Sequence, residues 1–423
     1  MSVRALSPHI CIIGGGFGGL YSALYLQKYR HLRQCRITLI EPKERFLFTP
    51  MMYELITGEL KDWEIAPTYS SLVAAHPNIQ WQQAHATSVD MDTQTVVLSN
   101  DSSHTYDYLV IARGADNRPV DIPGVEDYAL TFRSLEDTHT LRARLAQLVQ
   151  AHSQPLQSLS SENQPVHVVV VGGGPSGVEL ASKVSDYLRE RHIPYLTMLL
   201  ERGNAILKPF APGLKKVSQR SLLRRNITVL TNTAVQAVEP DAVTVEQDNQ
   251  THTISSDLTL WAVGTQPKPW LGVQSVGHNQ QGQRLTRRSL QLISYDNVFV
   301  LGDGADIRGP KQDPAPNTAQ AAFQGASQVA ANLARMTRGK PPKPFNYLHL
   351  GDMITLGIGE AGLHSFGLTL GGKFAGLCRR GVYIFRMPTR RHQMKVARRA
   401  LRELVRAVFK PLFKPVSKLS NFL

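Results

Sequence analysis

Two glycine runs of one pattern stand in this chain: Gly14-Gly15-Gly16-Phe17-Gly18-Gly19 and Gly172-Gly173-Gly174-Pro175-Ser176-Gly177, their first residues 158 positions apart. Each follows an apolar, β-branched run and opens a helical pattern, the context in which G-x-G-x-x-G cradles a dinucleotide. Gly14 and Gly172 permit a tight turn, Gly16 and Gly174 let backbone approach a pyrophosphate, and Gly19 and Gly177 let helix pack closely on strand. The helix N-terminus then faces the anion. An acid follows each run at ribose distance: Glu41 is 22 residues past Gly19, and Glu201 is 24 past Gly177. A carboxylate there is placed to accept hydrogen bonds from both ribose hydroxyls of an adenosine. Two such sites in one chain point to two bound dinucleotides, and so to redox chemistry that the dinucleotides carry.

These turns need strands beneath them. Residues 9–13 and 36–40 are expected as strands with a helix between, over about 18–29, and residues 106–112 as another strand closed by Arg113-Gly114-Ala115. A Ser/Gln/Pro-rich stretch, 150–164, reads as a linker or long exposed loop. A second strand–glycine–helix–strand unit ends at Glu201, and strands over 258–264 and 298–301 follow, the last leading into Gly302-Asp303-Gly304. The order is βαβ, an inserted βαβ domain, then a return to the first. The expected fold is α/β with two Rossmann-like dinucleotide-binding domains. Residues 1–160 and 286–343 form the interrupted domain, 161–285 the inserted one, and 344–423 a closing segment, Gly-rich over 351–381 and then a basic helix.

Composition narrows the setting. A length of 423 residues suits two or three domains, and 42% hydrophobic content is ample for their cores. No apolar run approaches the roughly 18 to 20 residues that span a bilayer. Residues 1–8 leave no room for a signal peptide ahead of the first strand, so the expected compartment is cytoplasmic or stromal. Net charge is +14, and the segment from Arg390 to Lys418 holds ten Lys or Arg and one acid, Glu403. Such a surface suits anionic lipid, nucleic acid or an acidic partner, and charge alone does not choose. The three cysteines, Cys11, Cys35 and Cys378, form no C-x-x-C or C-x4-C pair, which argues against electron transfer through a redox-active disulfide. No metal site is expected.

With these residues in place the chain resembles the two-dinucleotide-binding flavoproteins, and within them the type II NAD(P)H:quinone oxidoreductases. Gly302-Asp303 matches the family's flavin-side Gly-Asp, Trp261-Ala-Val-Gly264-Thr-Gln-Pro267 its second junction on the nicotinamide side, and Thr318-Ala319-Gln320-Ala321-Ala322-Phe323-Gln324 its A-Q-x-x-x-Q element. Residues 45–60, 62–67, 350–357 and 386–389 look like the cyanobacterial and plastid C-type branch, a likeness that covers most of the chain. The resemblance implies FAD in the interrupted domain, held by Gly14, Gly16, Phe17, Gly18, Gly19, Glu41, Ala112, Gly114, Gly302, Asp303, Ala319 and Gln320. It implies NADPH or NADH at Gly172, Gly174, Gly177, Glu201 and Gly264. The implied reaction is two-electron reduction of a prenylated naphthoquinone, demethylphylloquinone, or of plastoquinone-like quinones. Glu179 takes the family position near the nicotinamide–flavin contact, and Gln320 and Gln324, one turn apart, take positions beside the quinone. Two departures stand out. Arg113 replaces an uncharged residue, and Arg202 follows Glu201, so repulsion and attraction of a 2′-phosphate are adjacent and the nucleotide is left open. For the quinol protons, water, His349 and His364 all remain candidates.

The tail suits a lipid-dissolved substrate. Met394, Ala397, Leu401, Leu404, Val405 and Val408 fall at helical spacing, with Lys395, Arg398, Arg399, Arg402 and Arg406 around them and Phe409, Leu412, Phe413 and Leu423 beyond. This is the pattern of an interfacial helix on an anionic membrane. Packing against the protein's own core and a homodimer seam are the other uses of such a stripe. Nothing else in the chain resembles a nucleic-acid module. A general NADH:plastoquinone or ubiquinone reductase and a slow flavin redox sensor are the competing functions.

Overall fold

The computed structural model describes residues 7–153 and 164–409. The first apolar run, His9–Ile13, is strand β1 with every residue buried, and the glycine turn leads directly into helix α1, Phe17–Leu26. Strand β2 is Arg36–Ile40. Short helices α2 (Tyr53–Ile56) and α3 (Asp62–Ile65) precede strands β3 (Ile79–Gln82) and β4 (Tyr108–Ile111). Runs such as Ile10-Cys11-Ile12-Ile13, apolar on both faces, suit interior parallel strands covered on each side.

The second module repeats the plan with β5 (Ala129–Thr131), α4 (Leu135–Ser153), β6 (Val166–Val171), α5 (Pro175–Glu190), β7 (Tyr195–Leu200), β8 (Ile227–Leu230) and β9 (Leu258–Trp261). Its five strands are parallel in the order β8-β7-β6-β9-β5. Strand β10 (Val298–Val300) then returns to the first sheet beside β4, giving β10-β4-β1-β2-β3, and helix α6 (Ala319–Met336) packs along α1. Both glycine turns therefore sit at the carboxyl ends of a central strand, where such sheets bind ligands.

The chain enters the second sheet earlier than the boundary expected at residue 160. Strand β5 pairs with β9 and closes an otherwise open edge of the second sheet. Of the expected linker, residues 150–153 complete α4, and 154–163 lie outside the described residues.

The Gly-rich closing segment forms antiparallel strands β11 (Asp352–Thr355), β12 (Ala361–Ser365) and β13 (Leu368–Gly372). They rest on the helix Pro212–Arg224 of the second module, where Gly362 lies against Leu214 and Gly371 against Val217. Helices α7 (Lys373–Arg386) and α8 (Arg390–Phe409) follow. Helix α8 docks on α3 along a seam of His392, Val396 and Arg399: the His392 ring meets the Glu64 carbonyl at 2.7 Å, Val396 is buried, and Arg399 pairs with the Glu64 and Glu403 carboxylates. Its apolar stripe is a different face, with Met394, Leu401, Leu404 and Val405 exposed. The side chains of Arg406, Val408 and Phe409, and residues Leu412, Phe413 and Leu423, lie outside the described residues.

Candidate active site

The two glycine turns are built alike. Gly14 and Gly172 take positive φ, +98° and +112°, and a side chain at Gly19 or Gly177 would overlap the carbonyl oxygen of Gly14 or Gly172. Gly15 is closed in by Tyr69 and Glu41, and Gly173 by Ile206 and Glu201. Gly16 and Gly174 alone among these turn glycines face open space, with nothing within 4 Å of the place a Cβ would take. Neither α1 nor α5 has a side-chain cap, so their first N–H groups are left for a ligand. This is the arrangement a dinucleotide pyrophosphate requires, twice over.

The acids do more than the sequence suggests. The Glu41 carboxylate accepts the Gly15 N–H at 2.7 Å and the Lys43 N–H at 3.0 Å. The Glu201 carboxylate accepts Gly173 N–H at 2.8 Å and Gly203 N–H at 2.7 Å. Each braces a glycine of its turn, and a carboxylate has the lone pairs to accept further hydrogen bonds.

On the first module Phe17 packs edge-to-face on Phe46 and Phe48, and Gly18 lies against Ala112 and Leu301. Gly114 and Gly264, both at positive φ, start two strands that pair across the modules, Thr265–Pro267 with Ala115–Asn117. The departure at Arg113 resolves here: its guanidinium donates to the Pro269 carbonyl and ties this crossing together. Gly302, also at positive φ, presents Asp303, whose carboxyl burial pushes above its ordinary range while Arg133 opposes the rise.

Helix α6 begins at Ala319, capped by Thr318, whose hydroxyl accepts the Ala321 N–H. Gln320 and Gln324 share a face as expected, but their amides are engaged. Gln320 Oε1 accepts Tyr347 O–H and Leu350 N–H, both at 2.9 Å, and its Nε2 donates to Gly351 O at 3.3 Å. Gln324 exchanges two hydrogen bonds with the Leu348 backbone, at 2.8 and 3.0 Å. Gln320 and Gln324, expected beside the quinone, tether residues 347–351 in this structure, because an extended segment without a strand partner must satisfy its backbone groups elsewhere. His349 meets Tyr347 O–H at 3.3 Å and Asp352 at 3.5 Å, and the His364 ring meets the Thr369 hydroxyl at 2.8 Å.

Glu179, in the first turns of α5, is buried in a pocket of charge. Its Oε1 accepts the Thr355 N–H at 2.8 Å and lies 3.7 Å from Arg379 Nη2. Arg379 also pairs with Glu54 and donates to the Pro50 carbonyl, and its guanidinium lies 4.9 Å from the Tyr383 ring centre. Lys183, fully buried, pairs with Glu59 and lies 3.9 Å from Glu54. Burial, with Glu54 adding to it, pushes the Glu179 carboxyl up to about 7, against the pull of Arg379, the Thr355 N–H and Tyr53. A carboxyl poised there exchanges a proton at neutral pH. Sequence reasoning found Glu179 and missed Tyr53, Glu54, Lys183 and Arg379. One signal was available: Glu179, Lys183 and Asp186 fall on one helical face among apolar neighbours.

A family model described as pyridine nucleotide-disulphide oxidoreductase matches residues 8–326. The chain is 40% identical over 395 residues to demethylphylloquinone reductase NdbB of Synechocystis sp., covering 92% of this chain and 94% of that one. It is 31% identical to the alternative NAD(P)H-ubiquinone oxidoreductase C1, chloroplastic/mitochondrial, of Arabidopsis thaliana, covering 92% and 79%. Among solved structures, NDH2 from Plasmodium falciparum in complex with NADH superposes with a TM-score of 0.80 at 20% identity, covering 92% of this chain and 97% of that one, a likeness of fold.

Proposed function

Because the chain belongs to the pyridine nucleotide-disulphide oxidoreductase family, and within it to the type II NAD(P)H:quinone oxidoreductases, we propose that it is an FAD-dependent reductase of a prenylated naphthoquinone, demethylphylloquinone, with NADPH or NADH as donor. The observation that carries this reading is the pair of uncapped glycine turns, each with one open glycine, on modules joined across Gly114 and Gly264. When bound, FAD would supply the two-electron redox chemistry that links the nicotinamide to the quinone. The Gly16 and Gly174 backbones would receive the two pyrophosphates, Glu41 and Glu201 the adenosine riboses, and Asp303 the ribityl–phosphate part of FAD. Glu201 beside exposed Arg202 suits either nucleotide. The Glu179 carboxyl holds a proton near neutrality, and Arg379 keeps a carboxylate there tolerable once that proton has left.

The experiment is anaerobic rapid mixing. FAD-loaded protein, reduced by one equivalent of NADPH or NADH, is mixed with demethylphylloquinone or a plastoquinone analogue. Reoxidation at least ~10-fold faster by the demethyl naphthoquinone is expected. Equal or faster reoxidation by plastoquinone would replace the proposed substrate with quinones in general.

The quinone is lipid-dissolved, and the closing segment suits that. Phe374, Leu377 and Phe385 of α7, Phe366 and Leu368 of the β12–β13 hairpin, and Leu401 and Leu404 of α8 are all exposed. Exposed Arg390, Arg391, Lys395, Arg398 and Arg402 accompany them. Among the described residues no helix is long and apolar enough to cross a membrane. The reading this supports is peripheral attachment to an anionic thylakoid or plasma membrane, on its cytoplasmic or stromal face. Deleting α8 would strip the cover from buried Glu64, so point changes are the better test. Leu401→Glu with Leu404→Glu, at 61% and 52% exposure, should leave flavin content intact. Sedimentation with anionic vesicles should fall by at least ~10-fold. Unchanged sedimentation would remove α8 from the attachment surface.

A further inference from the structure

Lys183 has no part in the chemistry derived above, yet it is fully buried at the contact between the two modules. The elements around it trace a path from one glycine turn to the other. Phe17, beside Gly16, packs on Phe48, and the chain then turns through Pro50 into α2 and on to Glu59. Lys183 binds the Glu59 carboxylate and lies 3.9 Å from Glu54 of α2. It stands on α5, the helix that starts directly after Gly174. Lys183 is eight positions past Pro175, about 12 Å of helix. The other Glu59 oxygen accepts the Gly359 N–H at 2.9 Å, and Asp186, one turn further along α5, accepts the Ile358 N–H at 2.8 Å. First module, second module and closing segment thus meet around the Lys183–Glu59 pair.

Stability alone does not explain an ion pair there, although removing Lys183 by itself leaves the Glu59 carboxylate without its cation. Replacing a buried ion pair by apolar groups of similar volume is often neutral or stabilising, and the best-attested use of such a pair is to fix one register. A methionine would fill the space. It would also let α5 slide against α2, because van der Waals contacts are non-directional where an ion pair has a defined length.

We propose that Lys183 is a positioning residue that sets the spacing between the two dinucleotide turns, and through it the rate at which hydride passes between the molecules they hold. This rests on the reading that both turns hold dinucleotides. Hydride transfer demands a close and aligned approach, and a displacement near 1 Å costs up to ~100-fold in rate.

The test uses the full FAD-loaded chain with Lys183→Met and Lys183→Arg. Bleaching of the flavin absorbance by NADH or NADPH is followed by rapid mixing, with the nicotinamide 4-position protonated or deuterated. Lys183→Met is expected to slow bleaching at least ~10-fold. The nucleotide concentration giving half-maximal rate should stay constant, and the deuterium effect should grow. The long-wavelength absorbance of oxidised nucleotide stacked on reduced flavin, read at equilibrium, should weaken as well. Lys183→Arg should restore much of both. Wild-type bleaching rate and stacking absorbance in Lys183→Met would overturn the proposal. Should that variant lose its flavin, Glu59→Gln, partly exposed, weakens the same link and is judged by the same two outcomes. A wild-type protein that neither NADH nor NADPH bleaches would defeat the dinucleotide reading itself, and this inference with it.

Discussion

Gly19→Ala should yield a colourless protein with at least ~100-fold less NAD(P)H oxidation than the parent. A methyl group at this position would overlap the Gly14 carbonyl oxygen, so α1 must move off β1 before it can be accommodated. Strain of this kind costs about 1–3 kcal/mol, and it falls on the turn that aims the α1 N–H groups at the pyrophosphate. Two companions separate folding from binding. A Cβ at Gly16 meets nothing within 4 Å, so Gly16→Val should fold with the thermal stability of the flavin-free parent and still fail to hold flavin. Gly177→Ala, strained in the same way against Gly172, should stay yellow and be reduced by dithionite but not by NADH or NADPH. Absorbance spectra of the purified proteins decide these cases. A yellow, active Gly16→Val would move the pyrophosphate elsewhere.

Arg379→Met should be the most damaging change in the charged pocket. It leaves Glu54 with Lys183 alone, at 3.9 Å, and takes from Glu179 the cation beside it, and breaking a buried pair in this way costs about 3–5 kcal/mol. Denaturant unfolding at constant pH measures that loss. Arg379→Lys keeps the charge while giving up the planar fork that reaches Glu54 and the Pro50 carbonyl together, so its loss should be smaller.

The pH dependence has a defined sign. The folded Glu179 carboxyl titrates near 7, above the ordinary carboxylate range. Its contribution to stability is present below the unfolded value and is lost as pH rises through the folded one. Removing Arg379 takes away a cation that favours the charged form, so the transition moves to higher pH in both stability and rate. Glu179→Gln should abolish it. A rate–pH profile of Arg379→Met that coincides with the parent's would disconnect Arg379 from the Glu179 proton.

What the chain discloses by itself is whatever neighbouring residues enforce. A turn at positive φ admits Gly14 and Gly172 and strongly disfavours most other residues, and a side chain at Gly19 collides with a carbonyl five residues away. The β-branched runs before each turn are buried on both faces, so they read as parallel strands without reference to the rest of the molecule. The acids closing β2 and β7, and the outward stripe of α8, follow from the same short-range periodicities. The charged pocket obeys no such rule. Glu54, Glu179, Lys183 and Arg379 come from three separate parts of the chain, and the Arg379–Glu54 pair spans 325 residues. A lysine in a helix is ordinarily solvated, and only the packing of α2 and the residues that follow it against α5 buries Lys183 and makes partners necessary. The same holds for Gln320 and Gln324, whose bonds to residues 347–351 no local pattern discloses, and for β5, whose place at the edge of the second sheet depends on β9. Local sterics can be read one residue at a time, but the cost of burying a charge depends on what covers it, and tertiary structure alone decides that.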